Sequence, residues 1–430
     1  MTVKKITILI ILALVIIASV QILKPSKQTY QYNKNLSTLI NTIPNNIGVQ
    51  THVASEVNDV DVNLIKDNGF RIVRDDILWN LVEKKPGEYD FVNNGYDTFN
   101  KKLINNGIRP YHILSYSNVN YEKDNSVVTE KGLKAYTKFA GIAADRYKNQ
   151  NGIWEIWNEP NSARFWTPTF SSIDKYTELV ASSAAVIRKN DPTGIVVAPA
   201  LATIDNYSLD WLEGTFRKGL LDHIDALSVH LYRATPPETV REDYNKIREL
   251  VKKYTDRDIP ILSGEWGYST GQAFYGAQFN QRQQAQYLVR MFLINMYEEV
   301  PINIWYDWKN DGEDPADGEY NFGIREYDGT TPKEAAYAAK ALTTILSGYH
   351  FVQRIETSSE NDYILRFTND KKEVVYAYWT QDNEHSINVD KVHHFKGQEL
   401  SMFGEYTQKI DTKKNPLFLS NSPAYVKASK

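Results

Sequence analysis

The segment GIWEIWNEPN, residues 152–161, is an apolar run that stops abruptly at a polar one. Short apolar runs bounded by turn signals are typical of strands that are buried on both faces. Pro160 cannot continue a central strand, so the chain leaves the sheet there. Glu159 is therefore predicted to end a buried strand, beside tryptophans that exclude water. Burial of this kind raises the pKa of a carboxyl and suits it to general-acid chemistry. The alternative interpretation is that Glu159 is a loop glutamate that caps the next helix.

Similar apolar runs recur from Ile47 onward and alternate with stretches in which apolar residues have helical spacing. Eight such runs over about 300 residues indicate an α/β fold of the (β/α)8 TIM-barrel type. A doubly wound sheet is the alternative, but GVQTHVASEVND, after the first run, contains no glycine-rich phosphate loop. The predicted strands are residues 47–52, 70–76, 108–116, 152–159, 194–200, 224–232, 259–267 and 302–308.

The pattern divides the chain into a barrel over residues 46–346 and a smaller C-terminal region over residues 347–430. Within that region, NDYILRFTNDKKEVVYAYWT alternates with period two around the turn Asn369-Asp370, which predicts a hairpin. The C-terminal region is therefore expected to be a small all-β, β-sandwich-like accessory domain. The polar residues 29–45, in front of the barrel, are predicted to be a linker.

Residues 1–28 contain a predicted hydrophobic anchor. Lys4 and Lys5 precede eighteen uncharged residues, 6–23, a length shared by membrane-spanning helices and long signal-peptide cores. The flanking lysines favour a cytoplasmic N-terminus, and Ala18-Ser19-Val20 is a poor cleavage site. We expect a signal anchor that tethers an exported chain to the cytoplasmic membrane through residues 6–23. A secreted protein is expected instead if residues 1–28 are cleaved.

Composition excludes several functional classes. The chain has no cysteine, which rules out thiol catalysis, disulfides and cysteine-type zinc sites. The net charge of −4 gives no basic surface, so no nucleic-acid partner is predicted. The eight histidines form no recognisable metal motif, and neither a metal nor another cofactor is expected.

A second apolar run, in PILSGEWGYST (residues 260–270), also ends in a glutamate, Glu265. Glu159 and Glu265 thus end the predicted fourth and seventh strands. Because the C-terminal ends of barrel strands meet at one mouth, the two carboxyls can face each other. Two carboxyls that flank a bond are the requirement for glycoside hydrolysis. The other polar or aromatic residues at predicted strand ends are His52, Arg74, Tyr116, His230, Tyr232 and Trp308.

The strings WEIWNEPNSARFW (154–166), SVHLY (228–232) and GEWGYST (264–270) resemble the retaining (β/α)8 glycoside hydrolases of clan A. They are most similar to glycoside hydrolase family 39, and within it to PslG-type endoglycosidases that act on bacterial biofilm exopolysaccharide. The resemblance extends roughly over residues 47–345. It implies that Glu159 is the acid/base and Glu265 the nucleophile.

The resemblance also implies roles for neighbouring residues. Asn158 would hydrogen-bond the sugar 2-hydroxyl, Arg74 would support the ionised nucleophile, and Tyr232 would donate to it. The ordinary alternative for Arg74 is a salt bridge at the barrel rim. The remaining predicted substrate-binding residues are His230, Trp166 and one of Trp305 and Trp308, which would lie under the sugar ring. His230 could equally be a core histidine, and Trp166 could be ordinary loop packing.

These observations predict a membrane-tethered, retaining glycoside hydrolase whose partner is an extracellular or envelope polysaccharide. Mostly short inter-strand segments favour an open groove and therefore internal, endo-type cleavage. A polysaccharide export or synthesis complex is a further predicted partner. One alternative is a non-catalytic binding or scaffolding component of such a complex. Another is an exo-acting, β-xylosidase-like enzyme.

Overall fold

Eight parallel strands hydrogen-bond in sequence order and close into a barrel, in which β1 pairs with β8. Each strand begins at its predicted start or up to two residues after it, so the (β/α)8 prediction is confirmed. The strands are β1 (Ile47–Gln50), β2 (Ile72–Leu78), β3 (Arg109–Ser115), β4 (Ile153–Ile156), β5 (Ile195–Leu201), β6 (Ala226–His230), β7 (Ile261–Trp266) and β8 (Asn303–Trp305).

Helices cover the outside of the barrel. They are α1 (Val62–Asp67), α2 (Trp79–Val82), α3 (Tyr96–Asn105), α4 (Glu130–Arg146), α5 (Ile173–Asn190), α6 (Asn206–Arg217), α7 (Val240–Lys252), α8 (Gln281–Tyr297) and α9 (Glu334–Ile345), with short 3₁₀ turns at Leu220–Asp222 and Pro237–Thr239. A further 3₁₀ turn, Lys391–His393, lies in the C-terminal region. Side chains alternate along each strand. One set, including Ile72, Tyr111 and Ile304, fills the barrel interior, and the other set packs against the helices.

The C-terminal region is antiparallel β structure. A six-stranded sheet has the order β14-β13-β16-β11-β10-β9, and β12 and β15 form a second, two-stranded sheet. The predicted hairpin is β10 and β11, paired from Asp362–Thr380 to Thr368–Val374. The strands are β9 (His350–Arg354), β10 (Asp362–Thr368), β11 (Val374–Thr380), β12 (His385–Ile387), β13 (Lys396–Leu400), β14 (Tyr406–Asp411), β15 (Leu417–Leu419) and β16 (Ala424–Ala428).

The two faces of the larger sheet have different partners. Leu365, Phe367 and Trp379 belong to the same core as the barrel helices, whereas Ile364 and Tyr376 pack in a separate core with Leu417 and Leu419 of β15. The indole of Trp379 also donates a 2.6 Å hydrogen bond to the buried Glu238 in the barrel. The sheet is therefore fixed to the barrel by both apolar packing and a buried polar contact.

This computed structural model describes residues 39, 41–53, 60–168, 172–272 and 276–429. The predicted anchor, residues 1–28, and most of the predicted linker, residues 29–45, lie outside the described residues. Within the described ranges, no helix has both the length and the apolar character needed to span a bilayer.

Candidate active site

Glu159 and Glu265 reach the barrel mouth from nearly opposite strands. Glu265 is the penultimate residue of β7, whereas Glu159 follows the last residue of β4 by three positions. Trp157 and Glu159 have φ angles of 70° and 47°, in the left-handed region that such residues rarely adopt. The amide of Glu159 donates to the carbonyl of Ala200 after a turn that leaves the sheet. Strained backbone of this kind is concentrated at functional sites.

The two carboxylates lie face to face with an imidazole between them. One oxygen of Glu159, one oxygen of Glu265 and a ring nitrogen of His230 all lie within 4.8 Å of one another. His230 Nδ1 is 2.8 Å from Glu159 Oε1 and 3.7 Å from Glu265 Oε1. His230 is fully buried, and the Glu159 and Glu265 side chains keep 13% and 12% of their surface exposed. A ligand at the mouth can therefore reach both carboxylates.

Glu265 is surrounded by groups that favour its ionised form. Arg74 forms an ion pair with its Oε2, and the Tyr232 hydroxyl donates to its Oε1 at 2.8 Å. Burial raises the pKa of Glu265. Protonated His230, Arg74 and the Tyr232 hydroxyl together lower the pKa by more than burial raises it. The net result is a Glu265 pKa below the usual range of a carboxyl. Glu265 is therefore suited to act as an anion.

Arg74 organises the floor of the site. Its guanidinium is fully buried and bonds Glu155 (2.8 Å), Gln50 (2.9 Å) and the Asn158 amide oxygen (2.8 Å), besides Glu265. The predicted support of the nucleophile by Arg74 thus corresponds to a direct contact. Asn158 is also close to the acid/base candidate, but its oxygen is engaged by Arg74.

Glu155 is a member of this site that the sequence interpretation missed. It is fully buried and accepts from both Arg74 and the Tyr111 hydroxyl, the latter at 2.8 Å. The sequence does contain a signal for Glu155, because it is a charged residue in the middle of an apolar strand. It lies two positions after Ile153, so both side chains are on the interior face of the strand. Gly264 is a second such case, because a Cβ there would come within 2.1 Å of the Ser228 hydroxyl oxygen. Only glycine lets β7 approach β6 this closely beside Glu265.

The tryptophans lie elsewhere than predicted. Trp305 and Trp308 expose 0% and 1% of their surface and belong to the core between strands and helices. Trp305 donates to a backbone carbonyl, and the Arg325 guanidinium lies 4.9 Å from the Trp308 ring. Neither indole has a face for a sugar ring. The expectation fails because Trp305, on β8, and Trp308, just after it, face the helices rather than the barrel interior.

Tyr306 is the aromatic residue from this segment that faces the mouth. Its ring is 6.0 Å from that of Tyr232 and 5.6 Å from that of His52. Trp166, also predicted to bind substrate, is 2% exposed and packs 4.9 Å from Trp157 inside the loop. The half-buried Phe165, stacked on Tyr116 at 5.8 Å, lies nearer the surface.

The rim of the mouth includes a long connection after β8, residues 306–333, in contrast to the short segments expected from sequence. Glu319 in this connection lies 3.8 Å from Arg164 in the loop after β4, so the two loops meet. His52, Asp307 and Asp311 also place ligand-type atoms within 4.8 Å of one another, and these are residue types that can hold a metal ion.

The cellulase family model, glycosyl hydrolase family 5, matches residues 33–312. The chain belongs to this family. The predictions of a clan A glycoside hydrolase and of a hydrolytic enzyme are confirmed. No curated protein matches the chain at a significant level.

Several solved structures share the fold of this glycoside hydrolase. A family 39 glycoside hydrolase from Bacteroides cellulosilyticus WH2 has a TM-score of 0.73 at 20% identity, over 90% of this chain and 81% of that chain. A monomeric β-xylosidase from Caulobacter crescentus CB15 has a TM-score of 0.62 at 13% identity, over 89% and 96%. A family 30 endoxylanase from Clostridium papyrosolvens C71 has 0.63 at 14%, over 90% and 97%. At these identities the likeness shows the fold alone.

Proposed function

We propose that this glycoside hydrolase cleaves a bacterial extracellular or envelope polysaccharide with retention of configuration at the anomeric carbon. The observation that carries the proposal is the pair Glu159 and Glu265, because one oxygen of each lies within 4.8 Å of the other. Retaining enzymes hold their carboxyls about 5–5.5 Å apart, whereas inverting enzymes leave about 6.5–9.5 Å for a water. The short spacing leaves no room for that water.

The reaction follows from the surroundings of the two carboxyls. Glu265, kept ionised by Arg74 and Tyr232, attacks the anomeric carbon while the bond to the leaving oxygen breaks. Glu159 transfers its proton to that oxygen, and a glycosyl ester of Glu265 remains. Glu159 then removes a proton from water, the water oxygen attacks the same carbon, and Glu265 is released as a carboxylate. His230, in contact with Glu159, orients the acid/base.

Endo-type cleavage and a membrane-tethered, exported location belong to the same proposal. They rest on the resemblance to PslG-type enzymes and on the apolar residues 6–23. Exo-type action is the second candidate, because the contact between Arg164 and Glu319 joins loops from opposite sides of the mouth. The β-xylosidase and the endoxylanase with this fold illustrate both modes. The intact carboxylate pair argues against a purely scaffolding role.

The test compares the full chain in detergent with Glu265→Gln and Glu159→Ala, using bacterial exopolysaccharides and plant β-glycans. Reducing ends, product sizes and the anomer first formed, by NMR, are recorded. Glu249→Gln is the matched control, because Glu249 is an exposed glutamate on α7. We expect release of long oligosaccharides with retained configuration and its loss in Glu265→Gln. Azide should restore turnover to Glu159→Ala as a glycosyl azide of retained configuration.

An inverted product, or full activity in Glu265→Gln, would remove the proposed mechanism. Monosaccharides as the only products would favour exo-type action, and binding without turnover by any variant would favour the scaffolding role.

A further inference from the structure

A small cavity lies on the outer side of the barrel, between β2, β3 and α3. Its volume is about 20 Å³, and most of its lining is apolar, from residues such as Val73, Ile77, Phe99 and Leu103. Its polar lining residues include Asp75 on β2, His112 on β3 and Asn100 on α3. Each of the three is only 7% exposed.

One polar atom of each residue has no hydrogen-bond partner among the described residues: Asp75 Oδ1, Asn100 Oδ1 and His112 Nε2. In Asp75 and Asn100, the other side-chain polar atom makes hydrogen bonds. Asp75 Oδ2 accepts from the Thr51 hydroxyl and the Val53 amide, and Asn100 Nδ2 donates to the Gln150 side chain at 3.1 Å. A buried polar atom without a partner destabilises the folded state, so three around one cavity require an explanation.

The three atoms complement a single water molecule. Burial lowers the pKa of His112 to about 4, although the charge of Asp191 opposes this, so the imidazole is neutral at pH 7. A neutral imidazole carries its hydrogen on one of its nitrogens, and Nε2 can donate it. Burial raises the pKa of Asp75 to about 7, and its ionised carboxyl offers Oδ1 as an acceptor. Asn100 Oδ1 is a second acceptor, so a water that accepts one hydrogen bond can donate its two hydrogens to these oxygens.

The size and lining of the cavity favour water over a cation. A buried water needs about 10–15 Å³ and two to four polar partners, and both conditions are met. A calcium or magnesium ion needs about six oxygen ligands, whereas only two side-chain oxygens in this lining, Asp75 Oδ1 and Asn100 Oδ1, are without a partner among the described residues.

We propose that this cavity is a water-binding site, whose ordered water joins Asp75, His112 and Asn100 and fixes Asp75 as a positioning residue for the mouth. Asp75 acts through segment 51–53, because its other oxygen holds Thr51 and Val53 on either side of His52. The His52 ring lies 3.9 Å from Asp311 and contacts Tyr306 at the mouth. The water thus anchors, from outside the barrel, a segment that contributes to the substrate side.

The first measurement is a high-resolution crystal structure of the full chain. We expect one spherical density peak about 2.6–3.2 Å from all three atoms, and its loss in Asn100→Leu. An empty cavity, direct pairing of the three atoms, or ligand distances of about 2.0–2.5 Å that indicate a cation would each overturn the water site. This readout does not depend on the roles proposed for Glu159 and Glu265.

The second measurement separates positioning from stability. Asp75→Leu removes the acceptor for Thr51 and Val53, whereas Asp75→Asn retains one. We expect KM for the polysaccharide to rise at least tenfold in Asp75→Leu, with a smaller change in kcat, and to return to within threefold of wild type in Asp75→Asn. Equal KM values in all three proteins, or an unchanged KM with a lower melting temperature, would show that Asp75 does not position the mouth. If Asp75→Leu does not fold, KM in Asn100→Leu decides, with the same expected direction.

Discussion

Replacing Arg74 by lysine keeps a positive charge in the barrel but removes the guanidinium geometry. The guanidinium donates to Glu155, Gln50 and Asn158 at 2.8–2.9 Å and pairs with Glu265. A lysine ammonium is a single point on a flexible stem and cannot reach both carboxylates and both amides. At least two of these bonds are lost. At about 1.5–3 kcal/mol for each bond to a charged group, the free energy of unfolding falls by about 3–6 kcal/mol.

The same change alters the titration of Glu265. An opposite charge within contact distance lowers a carboxyl pKa by about 1–3 units. If the ammonium settles on the fully buried Glu155, Glu265 loses most of this effect, and its pKa rises. The acid limb of the pH dependence of kcat/KM reports this group in the free enzyme. We therefore expect the acid limb of Arg74→Lys to move to higher pH by about one unit.

Arg290→Lys is the matched control. Arg290 is 2% exposed and holds Glu238 through two 2.7 Å hydrogen bonds, and Glu238 also accepts from Trp379 of the C-terminal sheet. The control should lose a comparable free energy of unfolding in urea while its acid limb stays in place. If Arg74→Lys keeps the wild-type acid limb and kcat, Arg74 does not control the ionisation of Glu265. If both variants shift the limb equally, the shift reflects general loosening of the structure.

Two further changes probe neighbouring interactions. Tyr232→Phe removes the 2.8 Å hydrogen bond to Glu265. We expect kcat/KM to fall about tenfold, for a loss of about 1.4 kcal/mol, and the acid limb of its pH dependence to move to higher pH. An unchanged pH profile would show that the hydroxyl is dispensable. Burial lowers the pKa of Lys333 to about 8, against the charges of Glu326 and Asp307, whereas an unfolded lysine titrates near about 10.4. Between these two values the unfolded chain binds more protons, so stability should rise with pH by about 3 kcal/mol from this group. Urea unfolding at pH 7.5 and pH 10 should show that rise in wild type and in Lys340→Met, a control at an exposed lysine, but not in Lys333→Met. The same change of unfolding free energy with pH in all three proteins would contradict a lowered pKa of Lys333.

Much of the fold and the central pair of the site could be predicted because both depend on local signals. Each barrel strand is an apolar run between residues that end strands, so its position in the chain is visible without tertiary information. Glu159 and Glu265 are conspicuous because a charge directly after such a run belongs at the barrel mouth. The C-terminal hairpin was equally visible, because its strands alternate around a turn.

The orientation of individual side chains could not be predicted in the same way. Barrel strands are apolar on the interior face and on the helix-facing side, so composition does not reveal which residues point inward. This is why Trp305 and Trp308 were expected at the mouth, where the structure places Tyr306 instead. Glu155 was overlooked for the same reason, although its neighbours Ile153 and Tyr111 line the interior.

The sequence by itself determined the order of the strands, the barrel and the two glutamates at its mouth, because these follow from hydrophobic patterning and strand breakers along the chain. Only the tertiary structure decided which groups surround those glutamates. Barrel closure sets the register between strands, and that register brings Arg74 on β2 between Glu155 on β4 and Glu265 on β7. The contacts of Arg74 with Glu155 and with Glu265 join residues that are separated by 81 and 191 positions in the sequence. They depend on barrel closure, and no local pattern encodes them.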